Sequence, residues 1–424
     1  MEIEKLYTRF LESTGASTDS RSITPECIFF ALKGDHFDGN LFAKNALDQG
    51  AAMAVIDNPS YEIPGKTLLV SNVLETLQKL ATHHRRQLKT PLISLTGSNG
   101  KTTTKELIHA VISTSYRTVA TTGNLNNHIG VPLTLLRLQP DTQIGIIEMG
   151  ANHQKEIAFL CEIAEPDYGL ITNYGKAHLE GFGGVQGVIK GKSELYDHLK
   201  THKKHIFYYR EDPIQVEKLK TYSRKSSFGP TSEADLTILM KSTEPFVTLE
   251  VNNTEIKSNL IGSYNFNNIA YAIAIGKHFQ VPITLIKQAI EAYVPKNNRS
   301  QILQKGRNRI ILDAYNANPS SMKVVLENFE KNTDPQKLVI LGDMFELGED
   351  AAAEHQYIAD LAARLNNTEV LLVGEHFHNT LTQSKKFRSY EDLETWLRAH
   401  LPENKTVLIK GSRGMALERI LDLW

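Results

Sequence analysis

Residues 91–106 read PLISLTGSNGKTTTKE, and this stretch decides the fold. An apolar run breaks into a turn with two glycines, and a lysine, three threonines and a helical pattern follow. A strand, a glycine-containing loop and a helix N-terminus in this order are typical of phosphate-binding sites. Lys101 is predicted to bridge the outer phosphates, and the Thr102 hydroxyl to bind Mg²⁺. The loop is shorter than the general P-loop, since Leu95 stands where that motif has its first glycine.

Composition limits the classes of protein to which the chain can belong. The 424 residues are 41% hydrophobic and 22% charged, which is ordinary for a globular chain of several domains. A net charge of −1 gives no general attraction to nucleic acid or to an anionic membrane. Cys27 and Cys161 are too few for a disulfide framework and lack metal-ligand spacing. Because the N-terminus lacks a signal-peptide pattern and no apolar run reaches ~18 residues, we expect a cytoplasmic monomer without a membrane segment or nucleic-acid partner.

Three segments are predicted along the chain: 1–88, 89–295 and 296–424. The helix at the end of the first segment closes with the basic run 83–86, which fits either a phosphate site or, more commonly, cations at a helix C-terminus. In the later segments strands alternate with helices, which indicates mostly parallel sheets. The predicted strands are 27–32, 52–56, 92–95, 118–120, 144–148, 168–172, 206–209, 310–313, 338–341, 370–373 and 406–409, and the helices of the first segment are 42–49 and 73–88.

Two side chains beyond the ends of predicted strands extend the expected nucleotide site. Glu148 closes the apolar run IGIIE, and His178 follows the strand that ends at Thr172. Ligands of open α/β sheets bind beyond the carboxyl ends of the strands, so a carboxylate at position 148 is a natural Mg²⁺ ligand. Taken singly, Glu148 also fits a surface acid and His178 an ordinary loop histidine. Together with the loop, we interpret them as two metal contacts.

Asn265 and Asn268 lie three residues apart at a predicted helix start, so their amides share one face. An asparagine amide has a donor and an acceptor that match the edge of adenine, and helix capping is the alternative role. Tyr264, directly before them, is a candidate for stacking.

Further motifs make the pattern more specific. TGSNGKTTTKE, TTGNLNNHIGVPLTLL, EMGANHQKEI and TNYGKAHLEGFGG resemble, in this order, the central motifs of the Mur ligases, and GSYNFNNIA, DAYNANPSSM, LGDMFELGED and IKGSRGM continue the match. The resemblance implies an α/β protein of three domains: one for the UDP end of a substrate, a central P-loop-like ATPase sheet, and a doubly wound C-terminal domain. It also implies ATP, Mg²⁺ and an acyl-phosphate intermediate. NLNNHIGVP and the last three motifs are most similar to the member that joins D-alanyl-D-alanine to UDP-N-acetylmuramoyl-tripeptide.

The same resemblance implies a modified lysine. Lys192, in IKGKSELYD, stands where these ligases carry a lysine carbamylated by CO₂. The modification turns a cation into an anion that helps to hold a second Mg²⁺. Lys190 is the competing position, and we favour Lys192 because it precedes Ser193 and Glu194 at the spacing of the family.

The resemblance implies roles for other residues. In the third segment, Asn298 replaces the glycine before Arg299, and Leu312 replaces a second acid before Asp313. The expected nucleotide contacts are Gly97, Ser98, Asn99, Gly100, Lys101, Thr102, Thr103, Asn265, Asn268, Arg299 (phosphates) and Asp313 (ribose). The expected substrate contacts are Ser20, Arg21, Asn126, Asn127, Tyr315, Asn316, Asn318, Lys410 and Arg413, although turn and surface roles fit Ser20 and Arg21 equally. The expected catalytic residues are Lys101, Glu148, His178 and Lys192, and the expected metal ligands are Thr102, Glu148, His178 and carbamylated Lys192.

Three other functions fit part of the pattern. The ligase that adds the third residue of the same peptide carries, in its diaminopimelate form, an Asp-Asn-Pro-Arg motif in the third domain, whereas the similar string 57–60 lies in the first segment and ends in serine. A folylpolyglutamate synthase would share the loop but not the N-terminal TDSR…FFALKGD segment. A regulatory nucleotide-binding module would not need to retain the four expected catalytic residues.

Overall fold

The computed structural model describes residues 2–296 and 298–424, which build three main sheets one after the other along the chain. The first sheet is parallel, with a small antiparallel hairpin beside it. Its strands, in spatial order, are Ala16–Ser17, Ile28–Phe30, Met53–Ile56 and Thr67–Leu69, and the hairpin is Lys33–Gly34 with Phe37–Asp38. Its helices are Glu2–Leu11, Ala43–Asp48 and Val73–Leu88, with 3₁₀ turns at Gly39–Phe42 and Pro59–Tyr61.

The second sheet has seven parallel strands and positions the phosphate loop. Leu92–Thr96 lies between Ile144–Glu148 and Tyr168–Ile171, so the carboxyl ends of these two neighbours flank the loop that follows. All residues of Leu92–Thr96 and Ile144–Glu148 are buried, as their continuous apolar runs predict for strands covered on both faces. The remaining strands are Thr118–Ala120, His205–Tyr209, Lys225–Gly229 and Leu236–Thr237. The helices are Lys101–Ile112, Gly130–Leu135, Glu156–Ala164, Leu179–Phe182, Val185–Thr201, Pro213–Leu219, Asn265–His278 and Ile283–Ala292.

An antiparallel sheet within the second segment was not predicted. Its strands are Leu239–Ser242, Thr248–Val251 and Thr254–Lys257. Thr248–Val251 alternates half-buried and buried residues, and Asn252 and Asn253 both adopt left-handed backbone angles between the last two strands. Period-two alternation on either side of an Asn-Asn turn was therefore a readable hairpin signal.

The third sheet has six strands, of which only the first is antiparallel among those that the structure describes. The strands, in spatial order, are Gln301–Lys305, Asn308–Asp313, Thr406–Lys410, Lys337–Gly342, Thr368–Val373 and Lys385–Phe387. The helices are Pro319–Glu330, Ala351–Ala363, Glu375–His378 and Tyr390–Ala399, with 3₁₀ turns at Gly348–Asp350, Arg413–Met415 and Leu417–Leu423. The sheets thus change after Leu88 and after Ala292, close to the predicted boundaries, and the division into domains stays a prediction.

The basic run at the end of Val73–Leu88 packs against the second segment. Arg85 donates to the carbonyl of Ala164, the last residue of a helix, and pairs with Asp167 at 2.6 Å. Arg86 pairs with Glu165 at 2.6 Å. These two cations are therefore matched by carboxylates and by the C-terminus of a second helix, Glu156–Ala164. Among the described residues, no helix combines the length and the apolar character that crossing a membrane requires.

Candidate active site

The phosphate loop is held open by its neighbours. Gly97 and Gly100 have φ of 145° and 78°, and a Cβ on them would collide with the side chains of Thr172 and Asn268. The Ser98 amide donates to the carbonyl of Asn173 at 3.1 Å. With the loop fixed in this way, the amides of the first turn of the following helix are left to bind an anion.

Lys101 lies over this loop. Its Nζ donates to the carbonyl of Gly97 at 2.7 Å. Burial lowers the pKa of Lys101, the charge of Glu148 raises it and that of Arg299 lowers it. Lys101 therefore feels the charge of a carboxylate from the second segment and of a guanidinium from the third.

Glu148 is the buried carboxylate opposite the loop, with 1% of its surface exposed. Its Oε1 accepts from the Thr102 hydroxyl at 3.1 Å and from the Asn126 amide at 2.8 Å. Its Oε2 is buried and has no partner among the described residues. A buried carboxylate oxygen without a donor fits a site for a hard cation such as Mg²⁺. Asn126, predicted to contact substrate, thus holds this carboxylate.

Lys192 is buried in the same region, with 1% of its surface exposed, whereas Lys190 is exposed. The Lys192 Nζ donates to the carbonyl of Ala151 at 2.9 Å and lies 4.7 Å from the ring centroid of Phe182. Burial, and then the charge of Lys101, lower its pKa well below the usual value. The structure thereby separates the two competing lysines by burial.

His178 reaches the third segment. It adopts a left-handed conformation with φ of 53°, and its Nδ1 hydrogen-bonds Oε2 of Glu346, which also has a positive φ of 62°. This hydrogen bond lowers the pKa of Glu346. Because Nδ1 is engaged, Nε2 is the ring nitrogen left for a metal.

Asn265 and Asn268 are buried and bonded within the protein. Asn265 donates to the carbonyl of Ile261 at 2.8 Å, and Asn268 donates to Asn265 at 2.7 Å. Asn268 also accepts from the Thr104 hydroxyl at 3.0 Å. The pair ties the loop helix to Asn265–His278, and neither side chain makes the N-capping bond that was the alternative. The predicted adenine contact stays a prediction. Tyr264 hydrogen-bonds the Ser300 hydroxyl at 3.0 Å.

A turn around Arg299 carries the third segment to the site. Asn298 and Ser300 have positive φ angles of 57° and 49°. Asparagine tolerates this left-handed region better than most residues, which explains why Asn298 can stand where the family has a glycine. The Arg299 guanidinium lies 3.7 Å from the ring centroid of Tyr315, and that of Arg413 lies 5.0 Å from the same centroid.

Asp313 has two protein partners beside this turn. It accepts from the Ser300 amide at 3.0 Å and pairs with the buried Lys410 at 2.6 Å. Lys410 also donates to the carbonyl of Asn316 at 3.0 Å. Asp313, the predicted ribose contact, is therefore also the counter-ion of Lys410, a predicted substrate contact.

Contacts between the second and third segments close the cleft. The Asn318 amide donates to Asn99 of the phosphate loop at 2.7 Å. The Lys176 amide donates to the Ser320 hydroxyl at 2.7 Å, and its ammonium pairs with Glu354. These contacts thus place the start of the helix Pro319–Glu330 beside the phosphate loop.

Some predicted substrate residues have local roles. Asn127 caps the helix Gly130–Leu135 through its Oδ1, which accepts from two backbone amides. Arg21 pairs with Asp19 at 2.8 Å, and the Ser20 carbonyl accepts from Gln49. For Ser20 and Arg21, the described part of the chain has no hydrogen bond or ion pair to the second or third segment. Their predicted uridine diphosphate contacts stay predictions.

Sequence reasoning missed several residues that build the site. Asn173 supports the loop and lies two residues beyond the strand Tyr168–Ile171, so the strand-end rule applied to Glu148 would have found it. Glu346 and Glu354 lie in or beside the motif LGDMFELGED, but their partners are more than 160 positions away in sequence. Only the folded chain identifies those pairs.

Comparisons with known proteins agree with this geometry. Family models match in three stretches: "Mur ligase family, catalytic domain" at residues 12–86, "Mur ligase middle domain" at 95–276 and "Mur ligase, glutamate ligase domain" at 298–413. UDP-N-acetylmuramoyl-tripeptide–D-alanyl-D-alanine ligase from Escherichia coli K12 is 32% identical over 96% of this chain and 92% of its own length. The chain belongs to the Mur ligase family. The Bacillus subtilis ligase of the same name is 31% identical over the same shares.

Solved structures superpose on this Mur ligase over 98% of its length. A crystal structure of MurF from Acinetobacter baumannii superposes with a TM-score of 0.86 at 28% identity and covers 98% of both chains. MurF ligase from Thermotoga maritima in complex with ADP gives a TM-score of 0.85 at 25% identity, over 98% of this chain and 97% of that one. The three-domain Mur ligase architecture predicted from the motifs is therefore confirmed.

Proposed function

We propose that this Mur ligase joins D-alanyl-D-alanine to UDP-N-acetylmuramoyl-tripeptide, with ATP as the energy source, and so makes a cytoplasmic precursor of peptidoglycan. The similarity to ligases of that name over 96% of the chain carries the proposal. The site supports it, because the phosphate loop, the buried Glu148 and the buried Lys192 lie together, and the third segment contacts the loop.

The residues of the cleft have separate roles in binding the nucleotide and the dipeptide. The loop amides and Lys101 bind the phosphates of ATP, and Arg299 adds a cation from the other side of the cleft. The carboxylate of the tripeptide is first phosphorylated, and the dipeptide amine then displaces phosphate. The third segment presents the dipeptide, which depends on closure of the cleft.

Thr102, Glu148, His178 and a carbamylated Lys192 would hold Mg²⁺. The unpartnered Oε2 of Glu148 fits a metal ligand, and the lowered pKa of Lys192 fits carbamylation, because the neutral amine is the form that attacks CO₂. When bound, Mg²⁺ would neutralise charge on the transferring phosphoryl group.

The decisive experiment measures phosphate release from ATP by the purified protein. Release should require both UDP-N-acetylmuramoyl-tripeptide and D-alanyl-D-alanine, and mass spectrometry should show the joined product. Release with a UDP-linked dipeptide and a free diamino acid would instead indicate the ligase that adds the third residue.

A further inference from the structure

His355 is a buried histidine that no step of the proposed chemistry uses. Among the histidines that the structure describes, only His84 and His355 are buried, and His84 hydrogen-bonds the Tyr7 hydroxyl and the Leu138 carbonyl. A buried imidazole is costly unless its polar nitrogens have partners within the protein. The partners of His355 therefore indicate its role.

Both ring nitrogens of His355 are engaged, and their partners fix which one carries the proton. Nδ1 lies 2.6 Å from the carbonyl oxygen of Ala351, one turn earlier in the same helix, and Nε2 lies 3.0 Å from the backbone nitrogen of Met344. A carbonyl only accepts and a backbone amide only donates, so Nδ1 is protonated and Nε2 is the acceptor. Burial lowers the pKa of His355 and outweighs the raising effect of the Ala351 carbonyl and of the nearby Asp343 charge, which agrees with a neutral ring.

The bond from Met344 ties a loop to this helix. The loop is the segment 343–347, and its first three amides donate, in chain order, to the Val373 carbonyl at 3.0 Å, to His355 and to the Ser412 hydroxyl at 3.0 Å. Of these three partners, only His355 belongs to the helix Ala351–Ala363. The ring therefore sets the position of the segment relative to that helix.

Both elements that His355 joins contact the second segment of the chain. Glu346, from the loop, hydrogen-bonds His178. Glu354 directly precedes His355 in the helix and pairs with Lys176. One buried ring thus links two acidic residues that join the third segment to the second.

We infer that His355 is a positioning residue: through Met344 it holds the segment 343–347 in the conformation in which Glu346 reaches His178. Glu346 has φ of 62°, which costs energy in a residue other than glycine and persists only where the surroundings hold it. The bond from Glu346 to Nδ1 in turn orients the His178 ring. The inference rests on the proposed function for its effect on turnover, and adds to it a residue that acts from outside the cleft.

The test uses two substitutions that each keep one bond of the ring. In His355→Gln the amide lies where Nε2 lay, so its oxygen accepts from Met344 while the bond to Ala351 is lost. In His355→Asn the amide lies where Nδ1 lay, so the opposite bond is lost. His355→Gln should stay within about twofold of wild type in kcat/KM for the dipeptide, and His355→Asn should lose about fivefold, the scale of one hydrogen bond. A role in helix stability alone would reverse this order.

A double-mutant cycle tests whether His355 acts through Glu346. In a protein that already carries Glu346→Ala, His355→Asn should cost less than about twofold, because the contact that it positions is gone. Losses that multiply would overturn the inference, and so would equal kcat/KM values for His355→Gln and His355→Asn. Circular dichroism confirms that each variant is folded.

A measurement without turnover tests the ring itself. The NMR spectrum of full-length protein labelled with ¹⁵N-histidine should contain a neutral ring with a protonated Nδ1 and a bare Nε2, absent from the spectrum of His355→Gln. A protonated Nε2 on that ring would overturn the inference even if the variants failed to fold. A wild-type enzyme that releases no phosphate with the proposed substrates would overturn the proposed function instead, and the spectrum would still report on His355.

Discussion

We propose that phosphoryl transfer depends most directly on Lys101. Its ammonium lies over the loop, within the electrostatic reach of Glu148 and Arg299. Lys101→Ala should lower turnover by ~10²–10³-fold or more, because neutralisation of the phosphoryl charge is lost. Steady-state phosphate release measures the effect, with circular dichroism to confirm the fold. A variant that retained turnover within tenfold of wild type would contradict this role.

Lys192 and Lys190 form a matched pair for testing carbamylation. Lys192→Ala should be nearly inactive because alanine supplies no anion, whereas the exposed Lys190→Ala should remain close to wild type. Rigorous removal of CO₂ should lower wild-type activity if the carbamate exchanges during the assay, and a small carboxylic acid should partly rescue Lys192→Ala. An active Lys192→Ala enzyme, or an unmodified lysine in a map with nucleotide and Mg²⁺ bound, would defeat the proposal.

Asp313 is predicted to serve both nucleotide binding and stability. Asp313→Ala should raise the KM for ATP, as expected for a ribose contact made in ground and transition states alike. It should also lower the free energy of unfolding by about 3 kcal/mol, since it leaves the buried Lys410 ammonium without its carboxylate. Urea denaturation measures this loss, and adding Lys410→Met should recover part of it. A kcat defect with unchanged KM would place Asp313 in the chemical step instead.

At the scale of elements, the start of the helix Pro319–Glu330 combines a cap with a contact to the phosphate loop. Asn318 accepts from the Ser321 amide through Oδ1 and donates to Asn99 through Nδ2. Asn318→Ala should cost about 1 kcal/mol of stability through the lost cap. Asn318→Asp keeps the cap but loses the donor, so it should melt like wild type and yet turn over more slowly. Equal activity of Asn318→Asp and wild type would show that only the cap matters.

Elements with strong local signals were predicted within one or two residues. Leu92–Thr96 and Ile144–Glu148 are long apolar runs bounded by turn residues, and such runs specify buried parallel strands. The hairpin around Asn252 was missed although its alternation is readable, because strands of four half-exposed residues give a weaker signal than long apolar runs. The helix predicted at 42–49 is shorter in the structure, because Gly39–Phe42 forms a 3₁₀ turn capped by Asp38.

At the scale of the whole molecule, ion pairs join the second and third segments. Lys176 pairs with Glu354, whose side chain is 11% exposed, and His178 contacts Glu346 in the same interface. Both contacts lie beside the phosphate loop rather than in it. Besides the hydrogen bond from Asn318 to Asn99 of the loop, the two segments are therefore joined by an ion pair that lies outside the loop.

Reversing one charge of this pair should hinder closure. Lys176→Glu should lower kcat/KM by roughly fivefold, the scale of a partly exposed ion pair turned into a repulsion. The double variant Lys176→Glu with Glu354→Lys should recover most of the loss, and added salt should shrink the difference. Small-angle scattering with an ATP analogue should show a larger radius for the single variant. Additive effects in the double variant would exclude a direct pair.

The sequence by itself determined the class of fold, the phosphate loop and the types of residue around it. Those features depend on local spacing: an apolar run, glycines at a turn and a lysine at a helix start. Residues such as Glu148 and Lys192 were proposed because motifs mark them, and burial in the structure then distinguished Lys192 from Lys190.

Only the tertiary structure decided which partners those residues have. Asn126 holds Glu148, Asn268 ties two helices together, Lys410 pairs with Asp313, and Tyr315 carries two arginines. Such pairs join side chains that are far apart in sequence or that compete with equally plausible partners. Their choice depends on how three sheets pack, a property of the whole chain that no local pattern records.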